Sequence, residues 1–70
     1  MNQWSSAKGR KVLSALLRIG WSIDRQTGSH IVLVREGYDN FVFAFRPNDE
    51  IGPRMLARIS KSTGLTPNDL

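Results

Sequence analysis

One histidine, His30, follows Gly28-Ser29 and opens the apolar run Ile31-Val32-Leu33-Val34. Histidine both takes and gives a proton near neutrality, so its first-choice chemistry is general acid or general base work. The segment upstream, Trp21-Ser22-Ile23-Asp24-Arg25-Gln26, alternates as a strand does, and the two segments read as a hairpin turning through Thr27-Gly28. A symmetric two- or four-residue loop would set Arg25 opposite His30, with guanidinium and imidazole on one face, whereas a three-residue loop would break that pairing. Arginine grips a phosphate bidentately, which lysine cannot do. Ser29 adds a hydroxyl able to orient a phosphate or the imidazole. Taken alone, a strand histidine is more often structural or simply exposed. There is no cysteine, which excludes a disulfide framework and thiolate metal ligation. One histidine and scattered carboxylates form no clustered ligand set, so neither a metal nor a cofactor is expected.

The elements that must position these groups are legible from periodicity. A first helix is predicted over residues 7–19, capped by Ser5 or Ser6 and ended by Gly20, with Trp21 folding back towards Leu16. Val12, Leu13, Leu16, Leu17 and Ile19 share its broad apolar face, and Lys11, Ser14 and Arg18 fall on the other. Lys8, Arg10 and Lys11 in the first turn oppose the helix dipole. Either a bound phosphate compensates them, or their side chains splay into water. Strands are predicted over residues 21–26, 30–35 and 41–45, the last two joined through the turn-rich Glu36-Gly37-Tyr38-Asp39-Asn40. A second helix over residues 53–63 has Gly52 as its cap, Pro53 in its first position and Gly64 after its end. Met55, Leu56 and Ile59 make its apolar side, while Arg54, Arg58 and Lys61 form a basic stripe. Thr66-Pro67-Asn68-Asp69-Leu70 reads as one capped final turn, with Leu70 available for packing.

The order α-β-β-β-α predicts an α+β fold, with a three-stranded antiparallel sheet and two helices on one face, like a double-stranded-RNA-binding domain. Residues 1–70 are expected to form a single domain. Phe41, Phe43 and Phe45 fall on one face of the third strand and Val42 and Ala44 on the other, so both faces are apolar. That pattern suggests that a partner protein or a second copy covers the outer face. Ten Lys and Arg against six Asp and Glu give a net charge of +4. The basic residues cluster on the two helices, which suits a polyanionic partner. No apolar run approaches the roughly 18 residues of a membrane span, and the first six residues lack the apolar core of a secretory signal. A soluble, cytoplasmic protein without membrane association is expected.

Lys8-Gly9, Leu16…Gly20-Trp21, the string Arg25-Gln26-Thr27-Gly28-Ser29-His30 and Glu50-Ile51-Gly52-Pro53…Leu56…Ile59…Gly64-Leu65-Thr66 together resemble the HicA (YcfA-like) toxin family. The likeness extends from Lys8 to Leu70, and the Arg-Gln-x-Gly-Ser-His string is its most specific part. It implies an endoribonuclease toxin that cleaves mRNA without a metal and is restrained by a HicB-type antitoxin. On that likeness His30 takes the catalytic position. Many members carry a second histidine just after the third strand; here Arg46 of Phe45-Arg46-Pro47 stands nearest to it. Around His30, Arg25 would bind the scissile phosphate, Lys8 and Lys11 would gather the RNA backbone, and Arg46 would stabilise charge. Two other readings fit the same fold: an RNA-binding domain that does not cut, and a protein-interaction module.

Overall fold

The computed structural model describes residues 4–70. The part of the expected leader-free N-terminus that falls on Met1, Asn2 and Gln3 lies outside the described residues. The elements run β1 (Ala7–Lys8), α1 (Gly9–Arg18), β2 (Ser22–Thr27), β3 (His30–Val34), β4 (Phe41–Ala44), β5 (Glu50–Ile51) and α2 (Pro53–Thr63). A 3-10 turn, Pro67–Asp69, follows. Strands β2, β3 and β4 form an antiparallel meander in that order, and the fold is α+β as expected. The expected order gains one feature: β1 and β5 pair as a separate two-stranded ribbon, Ala7 opposite Ile51 and Lys8 opposite Glu50.

That ribbon corrects the expected start of the first helix. Neither Ser5 nor Ser6 caps it; Lys8 is the N-cap and makes no side-chain capping bond. The exposed donors of the first turn are met instead by a loop, Gly9 N–H donating to the Asp49 carbonyl at 2.9 Å and Arg10 N–H to the Pro47 carbonyl at 3.3 Å. A Cβ on residue 9 would collide with the Arg46 carbonyl, so glycine there allows helix and loop to touch. The other end is as expected. Gly20 has φ +114°, its N–H reaches the Leu17 carbonyl at 3.3 Å, and Trp21 N–H reaches that of Leu16 at 3.1 Å, which is a Schellman motif.

The core joins Val12, Ala15 and Leu16 of α1, Leu56 and Ile59 of α2, and Ile31, Leu33 and Phe43 on one face of the sheet. Two residues expected inside lie outside: Leu17 is 40% exposed and Met55 49% exposed. The small Ala15 takes the place given to Leu17, because the buried side of α1 is Gly9, Val12, Ala15 and Leu16. Trp21 is buried and donates its indole N–H to the Thr63 carbonyl at 3.0 Å, tying the end of α1 to the end of α2. α2 has the expected bounds, with Gly52 as its N-cap and Gly64 at φ +78° as its C-cap.

The final turn is capped as expected. The Asp69 carboxylate accepts Thr66 N–H at 2.8 Å and the Thr66 hydroxyl at 3.0 Å, and these bonds hold its pKa below the usual carboxylate value. Arg18 donates to the Asp69 carbonyl and fastens the turn to α1. Among the described residues no helix is long and apolar enough to cross a membrane.

Candidate active site

The β2–β3 hairpin closes one residue later than the sequence suggested. Thr27 pairs with His30, leaving Gly28-Ser29 as a two-residue loop in which Gly28 takes φ +58°. A positive φ confined to a glycine in the first loop position is the mark of a type II′ turn, whose twist matches the strands it joins. The expected turn through Thr27-Gly28 is therefore corrected, and with it the expected pairing of Arg25 with His30. Arg25 stands opposite Val32.

The face assignment nevertheless survives, by a different route. Opposed residues share a face, so Thr27 and His30 point the same way, and so do Arg25 and Val32 one step along the ladder. All four lie on the face turned away from the buried Ile31 and Leu33. A register shift between Ile23 and Arg25 makes Asp24 a bulge residue, so Ile23 pairs on the Leu33 side and Arg25 on the His30 side. Diagonal neighbours of this kind sit about 7–8 Å apart, within reach of an arginine side chain.

The neighbouring strand completes the surroundings. Ala44 of β4 stands opposite His30 on its other flank. Directly after it, Phe45 N–H donates to the Ser29 carbonyl at 2.6 Å, and Gln26 Nε2 donates to the Gly28 carbonyl at 3.3 Å. The loop carrying Ser29 is thus pinned from two sides. The Phe45 bond also fixes where Arg46 leaves the sheet. Arg46 is 72% exposed and meets the Asp49 carboxylate only at 3.9 Å, a surface pair of small worth that leaves its charge available. Its carbonyl abuts Gly9, the residue after Lys8, which pairs with Glu50 in the separate β1–β5 ribbon.

Ser29, His30 and Arg46 are therefore brought to one end of the sheet by the Phe45–Ser29 bond, and Arg25 shares the open face of His30 two positions in from that end; Lys8 belongs to the separate β1–β5 ribbon. Lys11, one turn on from Lys8, borders a small hollow formed with Trp4, Ser5, Pro67 and Leu70. Of the two readings of the basic first turn, a bound phosphate loses two backbone donors, since Gly9 and Arg10 N–H are taken by the 47–49 loop. Thr27, directly opposite His30, was missed. The Gly-Ser pair after it was the available signal, because Gly-X is the usual type II′ loop.

Among the described residues no group of three or more His, Cys, Asp or Glu could hold a metal ion. The arrangement offers one imidazole, a hydroxyl on either side of it in sequence or register, Arg25 on the same open face and Arg46 on the adjoining loop. It can move a proton beside a phosphodiester and neutralise charge on its oxygens. A family model described as the HicA toxin of bacterial toxin–antitoxin systems matches residues 9–65. No curated protein and no solved structure matches the chain.

Proposed function

The chain belongs to the HicA toxin family, and from its toxin role we propose that it is an endoribonuclease that cleaves mRNA, with His30 as the general acid or base. The observation that carries the reading is the shared exposed face of Arg25 and His30, beside the loop that carries Arg46.

RNA supplies its own nucleophile. His30 takes the proton of a ribose 2′-hydroxyl as that oxygen attacks the adjacent phosphorus. Arg25 binds the non-bridging oxygens, where negative charge builds in the transition state, and Arg46 adds a second cation where many relatives carry a histidine. The bond from phosphorus to the 5′-oxygen then breaks, and that oxygen takes a proton from the imidazolium or from water. Ser29 orients the phosphate or the ring, and Lys8 holds RNA beyond the cut. No step needs a metal. Lys11, three residues on from Lys8, adds to the attraction of the RNA backbone.

On this reading residues 1–70 act as one domain with a double-stranded-RNA-binding-domain-like arrangement, working in the cytoplasm under a HicB-type antitoxin. A non-cutting RNA-binding role draws support from one observation, the arginine at position 46; it would give RNA retardation without cleavage. The test is an RNA of mixed sequence incubated with the protein in excess chelator, beside a 2′-O-methyl copy. Cleavage of the first and survival of the second is expected. Equal cutting of both, or of neither, overturns the proposal.

A further inference from the structure

The two edges of the sheet are defended very differently. β2 carries a bulge at Asp24, two charged side chains and no buried residue, all of which discourage another strand from pairing with it. β4 is Phe41-Val42-Phe43-Ala44, with no charge, proline or bulge. Phe45 N–H points to β3, where it meets the Ser29 carbonyl. Backbone groups alternate in direction along a strand, so Phe43 also faces β3, while Val42 and Ala44 turn their N–H and C=O groups to the outer edge. Beside that edge lies a groove of about 600 Å³ between β4 and α2, floored by Phe41, Phe43, Ile51, Met55 and Ile59 and lined also by Arg46, Asp49 and Glu50. Val42 at 56% exposure and Met55 at 49% stand at its margins.

We propose that the antitoxin partner inserts an extended segment along β4, bonding the outward amides and carbonyls of Val42 and Ala44 and placing apolar side chains in this groove, with acidic residues on α2. This rests on the toxin role of the chain. An unpaired strand edge supplies main-chain bonds and the groove supplies side-chain selectivity, which is the usual logic of strand addition. The charge requirement comes from the next hollow along: Met55 borders both, and Arg54 and Arg58 line the second. α2 carries no acid to offset them. A second copy of this chain would bring the same arginines and its own net charge of +4 to the contact, which opposes self-pairing. RNA would gain nothing from an apolar floor that strips water from its phosphates.

The placement also explains restraint. Ala44 is the residue opposite His30, and an added strand lies about 4.8 Å beyond β4, roughly two strand spacings from the imidazole. Its side chains on the open face then occupy the space an RNA strand needs beside His30 and Arg46.

The test is amide hydrogen exchange on the full chain, alone and with its cognate antitoxin. Val42 and Ala44 amides exchange quickly in the free chain and become protected in the complex. Val42→Pro removes an outward donor without breaking a bond to β3, and proline is tolerated on such an edge. It weakens the complex by about tenfold or more while the free variant still cleaves RNA. The exposed pair Arg54→Glu and Arg58→Glu weakens the complex independently, should the proline variant not fold. Unprotected Val42 and Ala44 amides in a formed complex overturn the proposal, as does failure of the antitoxin to bind. So does a charge-reversed α2 that loses RNA cleavage but keeps the antitoxin. Because cleavage by the free chain is read separately, an inactive protein that still shows edge protection counts against the nuclease assignment alone.

Discussion

Arg25 and His30 stand on the same open face of the sheet although neither is the other's cross-strand partner: Arg25 pairs with Val32 and His30 with Thr27. The bulge at Asp24 lets Ile23 pair on the core side while Arg25 two residues later faces out. A guanidinium placed diagonally from an imidazole can hold a phosphate without taking the imidazole's own contact position. Arg25→Lys keeps the charge and loses the two-pronged grip, so cleavage should fall about tenfold, and Arg25→Ala should fall further. Initial rates of RNA cleavage for the three proteins check this; a lysine variant equal to the parent would show that charge alone suffices.

Gly9 touches the Arg46 carbonyl with no room for a side chain. Gly9→Ala should force the 46–49 loop away from α1 and cost about 1–3 kcal/mol of stability, as overpacking does. Denaturant unfolding measures the loss, and amide shifts at Arg46 and Asp49 should report the displaced loop.

Trp21 satisfies the Thr63 carbonyl in the interior. Trp21→Phe leaves that oxygen without its partner and should destabilise the fold by about 1–3 kcal/mol. Chemical denaturation checks the value, and RNA cleavage by the folded fraction should be unchanged.

Asp69 gives the pH dependence of the C-terminal turn. Its folded pKa lies below the ordinary carboxylate value because Thr66 donates to the carboxylate from backbone and side chain. A depressed carboxylate pKa stabilises the folded form above the unfolded pKa, and that contribution disappears as pH falls through the folded value. The turn should therefore hold above about pH 4 and loosen below it. A carbon-detected NMR titration of Asp69, with Thr66→Ala moving its midpoint upwards, tests the sign.

Legibility followed the kind of interaction that shapes each element. α2 was readable to its ends because Gly52, Pro53 and Gly64 are local signals that act through backbone conformation. The β1–β5 ribbon was not readable, since two-residue strands carry no periodicity and are made by the loop that caps α1. Met55 fits the apolar stripe of α2 by spacing, but the neighbouring groove leaves it half in solvent. At the site, His30 and Arg25 could be read as sharing a face. Their register could not, because moving the loop by one residue shifts the pairing without altering the strand pattern.

The central claim is that the His30 imidazole moves the proton in RNA cleavage. His30 is exposed at the start of β3 and contributes nothing to the buried core, so His30→Ala should keep the circular dichroism and thermal unfolding of the parent. With one RNA, excess chelator and matched protein concentrations, the parent should cut and His30→Ala should be slower by about 10²–10⁴-fold. A folded His30→Ala that cuts at the parental rate would contradict the account.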